Sequence, residues 1–273
     1  MRGNRSWTAG LALTATALVG LSGCATVERP DPLEPMNRKI FAFNETLDQY
    51  ALEPVAKAWD FILPHAVQTG IDNFFNNLNQ PIVFANSVLQ GKPEGALEDL
   101  ARLIANSTFG LGGVIDVASM AGIPDNDEDF GQTLGVWGVP AGPYLMVPLL
   151  GPYTLRSGVG DIVDSTASAY AYYNLFWFDV VGLNGFETTG ASIGMRGLDL
   201  LNLRAIYLEE LEESKKDAFD YYVFVRNAYL QSRRAQVLDQ TDSPVVDDED
   251  LYFYDDEEEE YDDDDEEEDY NDL

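Results

Sequence analysis

The sequence predicts an all-α body, and three observations carry that reading. Through most of residues 31–235, apolar residues recur at intervals of three and four, the spacing that gathers them on one face of a 3.6-residue helix. Prolines fall at the starts of these periodic stretches, where a missing backbone N–H costs little. Cys24 is the sole cysteine, so no internal disulfide can brace a loop-rich alternative.

The first 23 residues are set apart. Arg2 and Arg5 form a short positive region, Ala9 to Leu21 carry no charge, and Leu21-Ser22-Gly23-Cys24 closes the segment. That order is a bacterial lipoprotein signal, in which the thiol of Cys24 receives diacylglycerol and becomes the first residue after cleavage. The apolar run falls short of the roughly 20 residues that a transmembrane helix requires. Ala25 rather than Asp follows the cysteine, which by resemblance to sorted lipoproteins favours the outer membrane. Buried acyl chains contribute about 0.8 kcal/mol per methylene, so two or three of them hold a protein firmly. Residues 24–30 then form a lipidated tether.

The helices follow in order. From Glu34 to Glu53, Met36, Ile40, Phe43 and Leu47 form one apolar stripe, with Pro35 in the first turn. Pro54 predicts a break before a second short helix carrying Val55, Trp59 and Phe61 to Leu63. Ile71, Phe74, Phe75 and Leu78 repeat the spacing, and Pro81 is expected to open another helix over Ile82 to Leu89. A further helix is expected from Pro93 to about Thr108. Glu187 to Leu211 and Ser214 to Arg234 read as the two longest helices.

Two stretches do not suit an ordinary soluble bundle. Phe130 to Leu155 holds no charged residue, yet Pro140, Pro143, Pro148 and Pro152, with five glycines between Gly131 and Gly151, forbid a continuous helix. It is expected to be irregular, either buried or lining a cavity at membrane depth. Tyr170, Tyr172, Tyr173, Phe176, Trp177 and Phe178 crowd into nine residues. Rings at that density suit the lipid headgroup boundary, and a buried aromatic core helix is the alternative.

The net charge of −32 is concentrated at the C-terminus. Residues 241–273 hold 20 acidic residues and no Lys or Arg, which leaves −12 for residues 1–240. Loss of Arg2 and Arg5 with the signal brings the mature body to about −14. A self-repelling acidic run has nothing to bury, so residues 236–273 are expected to be a disordered tail. It is expected to project away from an anionic leaflet as a solvated extension, and attraction of a basic partner is the alternative. An acidic body also excludes nucleic acid as a partner, because phosphates require basic patches.

No catalytic constellation is visible. Gly190-Ala191-Ser192-Ile193-Gly194 has the spacing of a nucleophile elbow, but no apolar strand precedes it, and the single histidine, His65, lies upstream. A helix start near Thr188 or Thr189 accounts for these residues better. Asp125, Asp127 and Asp129 imitate a calcium loop, but Phe130 and Val136 stand where Gly and Glu belong. Gly110-Leu111-Gly112-Gly113 follows a helix rather than a strand, so it is no nucleotide fingerprint. One histidine and one acylated cysteine supply no metal site. No cofactor or metal is expected, and the protein is not expected to be an enzyme.

Several motifs in fixed order resemble those of the VacJ/MlaA family of outer-membrane phospholipid-trafficking lipoproteins. Asp31-Pro32-Leu33-Glu34-Pro35-Met36-Asn37-Arg38 opens the likeness, followed by Phe43-Asn44, Leu47-Asp48, Pro81, Asn86 and Gln90-Gly91. Asn106, Gly110, Gly113 and Asp116 extend it. It is strongest at Phe130-Gly131-Gln132-Thr133-Leu134-Gly135, Gly142-Pro143-Tyr144, Pro148, Gly151 and Thr154-Leu155-Arg156. The likeness covers residues 29 to 235. Ser157 departs from the family's usual Asp, and the acidic tail lies outside the shared domain.

The resemblance implies a flat helical ring of amphipathic, membrane-embedded helices around the irregular Gly/Pro-rich segment, lying beside a trimeric porin. It implies a polar channel through which phospholipid headgroups leave the outer leaflet for a soluble periplasmic carrier of the MlaC-like kind, maintaining lipid asymmetry. Candidate channel residues are Asn37, Asn44 and Asp48 on the opening helix, with Asp161 and Asp164 beside the irregular segment. The alternative is a structural lipoprotein that scaffolds porins or envelope assembly.

Overall fold

The computed structural model describes residues 31–175 and 185–240, with side chains for 31–169 and 194–240. The signal, Cys24, the tether, Phe176 to Phe178 and residues 241–273 of the tail lie outside the described residues.

The described chain is helical apart from one hairpin. Helix α1 (Glu34–Leu47) passes through a π-turn (Asp48–Leu52) into α2 (Glu53–Ile62). Then come α3 (His65–Leu89), α4 (Pro93–Thr108), α5 (Val117–Met120) and α6 (Phe130–Val136). Strands β1 (Tyr144–Val147) and β2 (Gly151–Thr154) pair antiparallel, Tyr144 opposite Thr154 and Val147 opposite Gly151. Helices α7 (Leu155–Leu175), α8 (Gly185–Ile206), α9 (Leu208–Asp217) and α10 (Tyr221–Val237) complete the order.

The order of packing closes on itself. Helix α1 packs on β1, β2 on α10, α10 on α6, α6 on α3, α3 on α8, and α8 on α2, which returns to α1. Helix α7 is laid against α6 and α3, while α4 with α5 flanks α3. None of the helices among the described residues is long and apolar enough to cross a membrane.

Several boundaries differ from the sequence expectation for identifiable reasons. Pro54 does not break the first helix. The widened turn before it bonds the Glu53 N–H to the Asp48 carbonyl, so the chain turns on at the place where Pro54 has no N–H to offer. Pro81 likewise opens no new helix but sits inside the 25-residue α3, the longest of the described helices. The long C-terminal helix expected from Glu187 begins at Gly185 and is cut at Tyr207, and the last one starts at Asp220, whose side chain accepts from the Val223 N–H. The expected irregular segment contains α6 and the hairpin, an addition to an otherwise all-α fold.

The strongest motif of the sequence has a packing reason. Helices α6 and α7 cross where Gly131 meets Gly160, and a Cβ on Gly160 would stand 2.3 Å from the Gly131 nitrogen. A Cβ on Gly135 would likewise stand 2.9–3.0 Å from the side chains of Val237 and Arg156. Ser157, the departure from the family pattern, completes a reciprocal cap. Its Oγ accepts from the Thr154 N–H at 2.8 Å, while Thr154 Oγ1 accepts from the Ser157 N–H at 3.1 Å. An acidic or amide residue ordinarily takes that third helical position, so serine fills the same role with a shorter arm.

The interior is inverted. Among the described residues, Gln68, Gln132, Asn37, Asn86, Asn202, Thr133, Asp99 and Ser87 are the largest fully buried side chains, and every one is polar. An apolar core of Tyr144, Met146 and Tyr222 is small by comparison. Large apolar side chains face outward instead: Phe61 is 90% exposed, Met120 77%, Leu111 75% and Leu97 69%. Much of the apolar stripes that identified α1 and α4 points away from the protein, with Met36, Phe43, Leu97 and Ile104 all exposed, while Ile40 packs on the small core. Buried polar groups require partners, and here α3 supplies them. Gln80 and Ser87 donate to Asp99 at 3.3 and 2.5 Å, Asn77 donates to Ser107 at 3.1 Å, and Asn86 donates to Asp164 at 3.2 Å.

Candidate functional site

A cleft of about 640 Å³ opens between α1, the π-turn, the hairpin tip, α8 and α9. Its walls are two-natured. Leu47, Leu52, Val55, Leu149, Leu150, Leu200, Leu201 and Leu211 make most of the surface, and Asn44, Glu45, Asp48, Arg204, Lys215 and Tyr221 supply the polar groups.

Helix α1 holds the hairpin through two asparagines a heptad apart, of which Asn44 also lines the cleft. Asn37 donates to the Tyr144 carbonyl at 3.0 Å and accepts from the Met146 N–H at 2.9 Å. Asn44 repeats the pattern on the Val147 carbonyl at 3.0 Å and the Leu149 N–H at 2.9 Å. Each side-chain amide stands in for a neighbouring strand and satisfies the edge of β1. Asn44 thereby fixes the hairpin tip, where Leu149 takes a φ of 69°, an uncommon state for leucine. The tip holds Leu149 and Leu150, both about 60% exposed, at the mouth of the cleft.

The π-turn places Asp48 at the centre of a charge cluster. Arg204 Nε and Nη2 grip its two oxygens at 2.8 and 3.1 Å, and Lys215 Nζ donates to Oδ2 at 2.9 Å. Lys215 also reaches Glu45 at 3.0 Å, and Glu53 lies 3.8 Å from Arg204 Nη2. The Arg204 side chain is 6% exposed, and its Nη1 is buried without a hydrogen-bond partner among the described residues. Burial pushes the Asp48 carboxyl up, but the bonds from Arg204 and Lys215 outweigh it and hold the group below its ordinary value.

The other sequence candidates fall elsewhere. Asn37 does not line the cleft; it is fully buried under the strand it serves. Asp164 is a packing node, accepting from the Phe130 N–H at 2.7 Å and from Asn86, and it ties α6 to α7 and α3. Burial nonetheless pushes its carboxyl up. Asp161 faces the Tyr153 hydroxyl at 3.4 Å, and burial, then the Asp161 charge, push that phenol up to about 12. Neither aspartate borders the cleft. Tyr170, Tyr172 and Tyr173 lie on α7, their side chains outside the described residues, as are Phe176, Trp177 and Phe178 altogether. The backbone of Ser192 runs inside α8 rather than on an elbow. Asp129 caps α6 and binds Arg233 at 2.6 and 2.9 Å. Among the described residues, no group of His, Cys, Asp and Glu has the geometry of a metal site.

The cleft residues that the sequence reading missed are Arg204, Lys215 and Glu45. A lone arginine in the apolar run Leu200-Leu201-Asn202-Leu203-Arg204 was the available signal, since a charge in such a run requires a partner.

Acid should act on Asp48 and on the carboxylates of the surrounding scaffold with a definite sign. Burial raises the Asp116 carboxyl, but bonds from Ser119 and Asn106 and the charge of Arg102 outweigh it and hold the group at about 2. Because their folded values lie below the ordinary one, Asp116 and Asp48 contribute stability above about pH 4, and it is lost as pH falls further. The desolvated carboxyls of Asp125, Asp127 and Asp164 are raised and act oppositely, gaining stability as pH falls toward 4. Thermal unfolding in detergent should therefore show a maximum on the acid side of neutrality and a steep decline below about pH 4. A midpoint that climbs continuously from pH 4 to pH 8 would contradict this.

Comparisons with known proteins converge. The family model described as MlaA lipoprotein matches residues 29–236. The intermembrane phospholipid transport system lipoprotein MlaA of Shigella flexneri is 37% identical over 227 residues, covering 81% of this chain and 84% of that protein. Its counterpart in Haemophilus influenzae is 35% identical over 231 residues, covering 81% and 87%. A solved structure described as "Structural basis for maintenance of bacterial outer membrane lipid asymmetry" superposes with a TM-score of 0.65 at 34% identity. It covers 77% of this chain and 100% of the solved one.

Proposed function

We propose, for a chain that belongs to the MlaA lipoprotein family, that it draws mislocalised phospholipids from the outer leaflet of the outer membrane. The family is one of lipid-transport lipoproteins rather than enzymes, and it works in the bacterial envelope. On this reading Cys24 anchors the protein on the periplasmic side, the ring lies in the membrane, and headgroups pass through its polar interior to a soluble periplasmic carrier. A trimeric porin is the proposed neighbour.

The observation that carries the proposal is the inverted burial. In water, exposing Phe61, Ile62, Leu97, Phe109, Leu111 and Met120 while burying amides is costly. In a lipid leaflet the outward residues meet acyl chains, and the amides are better placed inside, because a polar group facing lipid would find no partner at all. The absence of a spanning helix among the described residues accords with a ring that lies within one leaflet. Moving a lipid needs a polar path for its head and an apolar one for its chains, and the cleft offers both. It does not need bond chemistry.

Deleting the gene should raise the phospholipid accessible to externally added phospholipase and increase detergent sensitivity. Restoring the intact gene should reverse both. Unchanged surface phospholipid together with misassembled porins would instead favour the scaffold. Cys24→Ser should block acylation, since an alcohol does not replace the thiol at that step, and should fail to complement. A membrane-bound, complementing Cys24→Ser protein would contradict the anchor.

A further inference from the structure

We infer that the cleft holds the phosphate of a zwitterionic phospholipid between Arg204 and Lys215, with the headgroup cation turned toward Glu45. This assignment rests on the reading of the cleft as part of the lipid path. It deepens that reading by naming the groups that select the head.

Three features meet here. Arg204 is more than nine-tenths buried in the cleft wall, and after Asp48 has taken Nε and Nη2, its Nη1 has no partner among the described residues. A buried guanidinium nitrogen left empty is expensive unless a ligand completes it. Lys215 spends two of its three N–H donors on Asp48 and Glu45, which leaves one for an oxygen placed beside Arg204. The charged residues of the cleft also balance, Glu45 and Asp48 against Arg204 and Lys215. A balanced site gives a bare anion little net attraction. It suits a head that brings both signs, the phosphate to the cations and the ammonium to Glu45, which is one-third exposed. The leucines beyond, Leu200, Leu201 and Leu150 among them, receive the acyl chains.

The test uses full-length acylated protein in detergent micelles, titrated with fluorescent short-chain phosphatidylethanolamine and phosphatidylglycerol, and with inorganic phosphate as competitor. Phosphatidylethanolamine should bind about tenfold tighter than phosphatidylglycerol, a difference of about 1.4 kcal/mol, and excess phosphate should not displace it. Glu45→Gln should erase that preference, because only phosphatidylethanolamine brings an ammonium, whereas Lys215→Gln should weaken both lipids by loss of a phosphate contact they share, with helical circular dichroism retained in each. Leu200→Ala should weaken both lipids equally. Equal binding of the two lipids, a preference that survives Glu45→Gln, or an affinity unchanged by Lys215→Gln would overturn the headgroup site. If Leu200→Ala still weakened both, the lipid cleft itself would stand. Displacement by inorganic phosphate would reassign the site to a free anion. No lipid binding by the unaltered protein would overturn the cleft reading along with this one.

Discussion

Gly160→Ala should lower the thermal midpoint of the detergent-solubilised protein by roughly 10 °C. The added methyl would stand 2.3 Å from the Gly131 nitrogen and 2.6 Å from its Cα. These are backbone atoms of the facing helix and cannot rotate away as a side chain would. Overpacking costs about 1–3 kcal/mol when side chains can yield, and here α6 and α7 must separate, so the cost belongs at or above the top of that range. For a domain of this length about 3 kcal/mol corresponds to roughly 10 °C. The separation would also drag apart Asp164 and the Phe130 N–H, now 2.7 Å apart. Gly194→Ala is the matched control, a helical glycine with nothing within 4 Å of the new methyl. It should be neutral or slightly stabilising, because alanine loses less backbone entropy. A Gly160→Ala midpoint within a few degrees of the Gly194→Ala value would refute the close crossing.

Asp48→Ala should be the most damaging substitution in the cleft. It strips the shared carboxylate from Arg204 and Lys215 and leaves a guanidinium that is 6% exposed facing a second cation. Removing one partner of a buried pair costs about 3–5 kcal/mol, most of it the penalty of the stranded charge. Asp48→Asn should cost less, since its carbonyl still accepts from Arg204. Replacing both partners, as Asp48→Leu with Arg204→Met, should recover much of the loss, because neither charge then remains to be solvated. Chemical denaturation of the four proteins checks this ordering. A double variant no more stable than Asp48→Ala would show that packing, and not the stranded charge, sets the cost.

These two positions also mark what the sequence made legible. The glycine-rich motif at Gly131 and Gly135 was visible as a resemblance, but its purpose, a helix crossing with Gly160, depends on residues that meet only in the fold. Helix periodicity found α1 and α4 with useful boundaries. It could not say which face is inside, because an apolar stripe looks the same whether it faces a core or a leaflet. Prolines misled twice. Pro54 is absorbed by a π-turn and Pro81 by the interior of α3, and proline chemistry alone does not distinguish a tolerated interruption from a stop. The hairpin was hidden because its edge is satisfied by Asn37 and Asn44 instead of a third strand, so no further strand appears in the sequence to announce it. Of the candidate channel residues, Asn44 and Asp48 border the cleft, whereas Asn37, Asp161 and Asp164 sit in the surrounding scaffold. Arg204 and Lys215 lie 156 and 167 residues beyond Asp48 in the chain, and no local pattern joins them.

Site-specific photo-crosslinking in the native membrane tests the central claim most directly. A photoreactive residue is placed at Phe61 on the outward face or at Leu201 in the cleft, and the adducts are identified by mass spectrometry. An inverted ring that carries phospholipid should give attachment through acyl chains at Phe61 and through the headgroup or glycerol region at Leu201. Water-quenched or soluble-protein adducts at Phe61, with no lipid at Leu201, would contradict it.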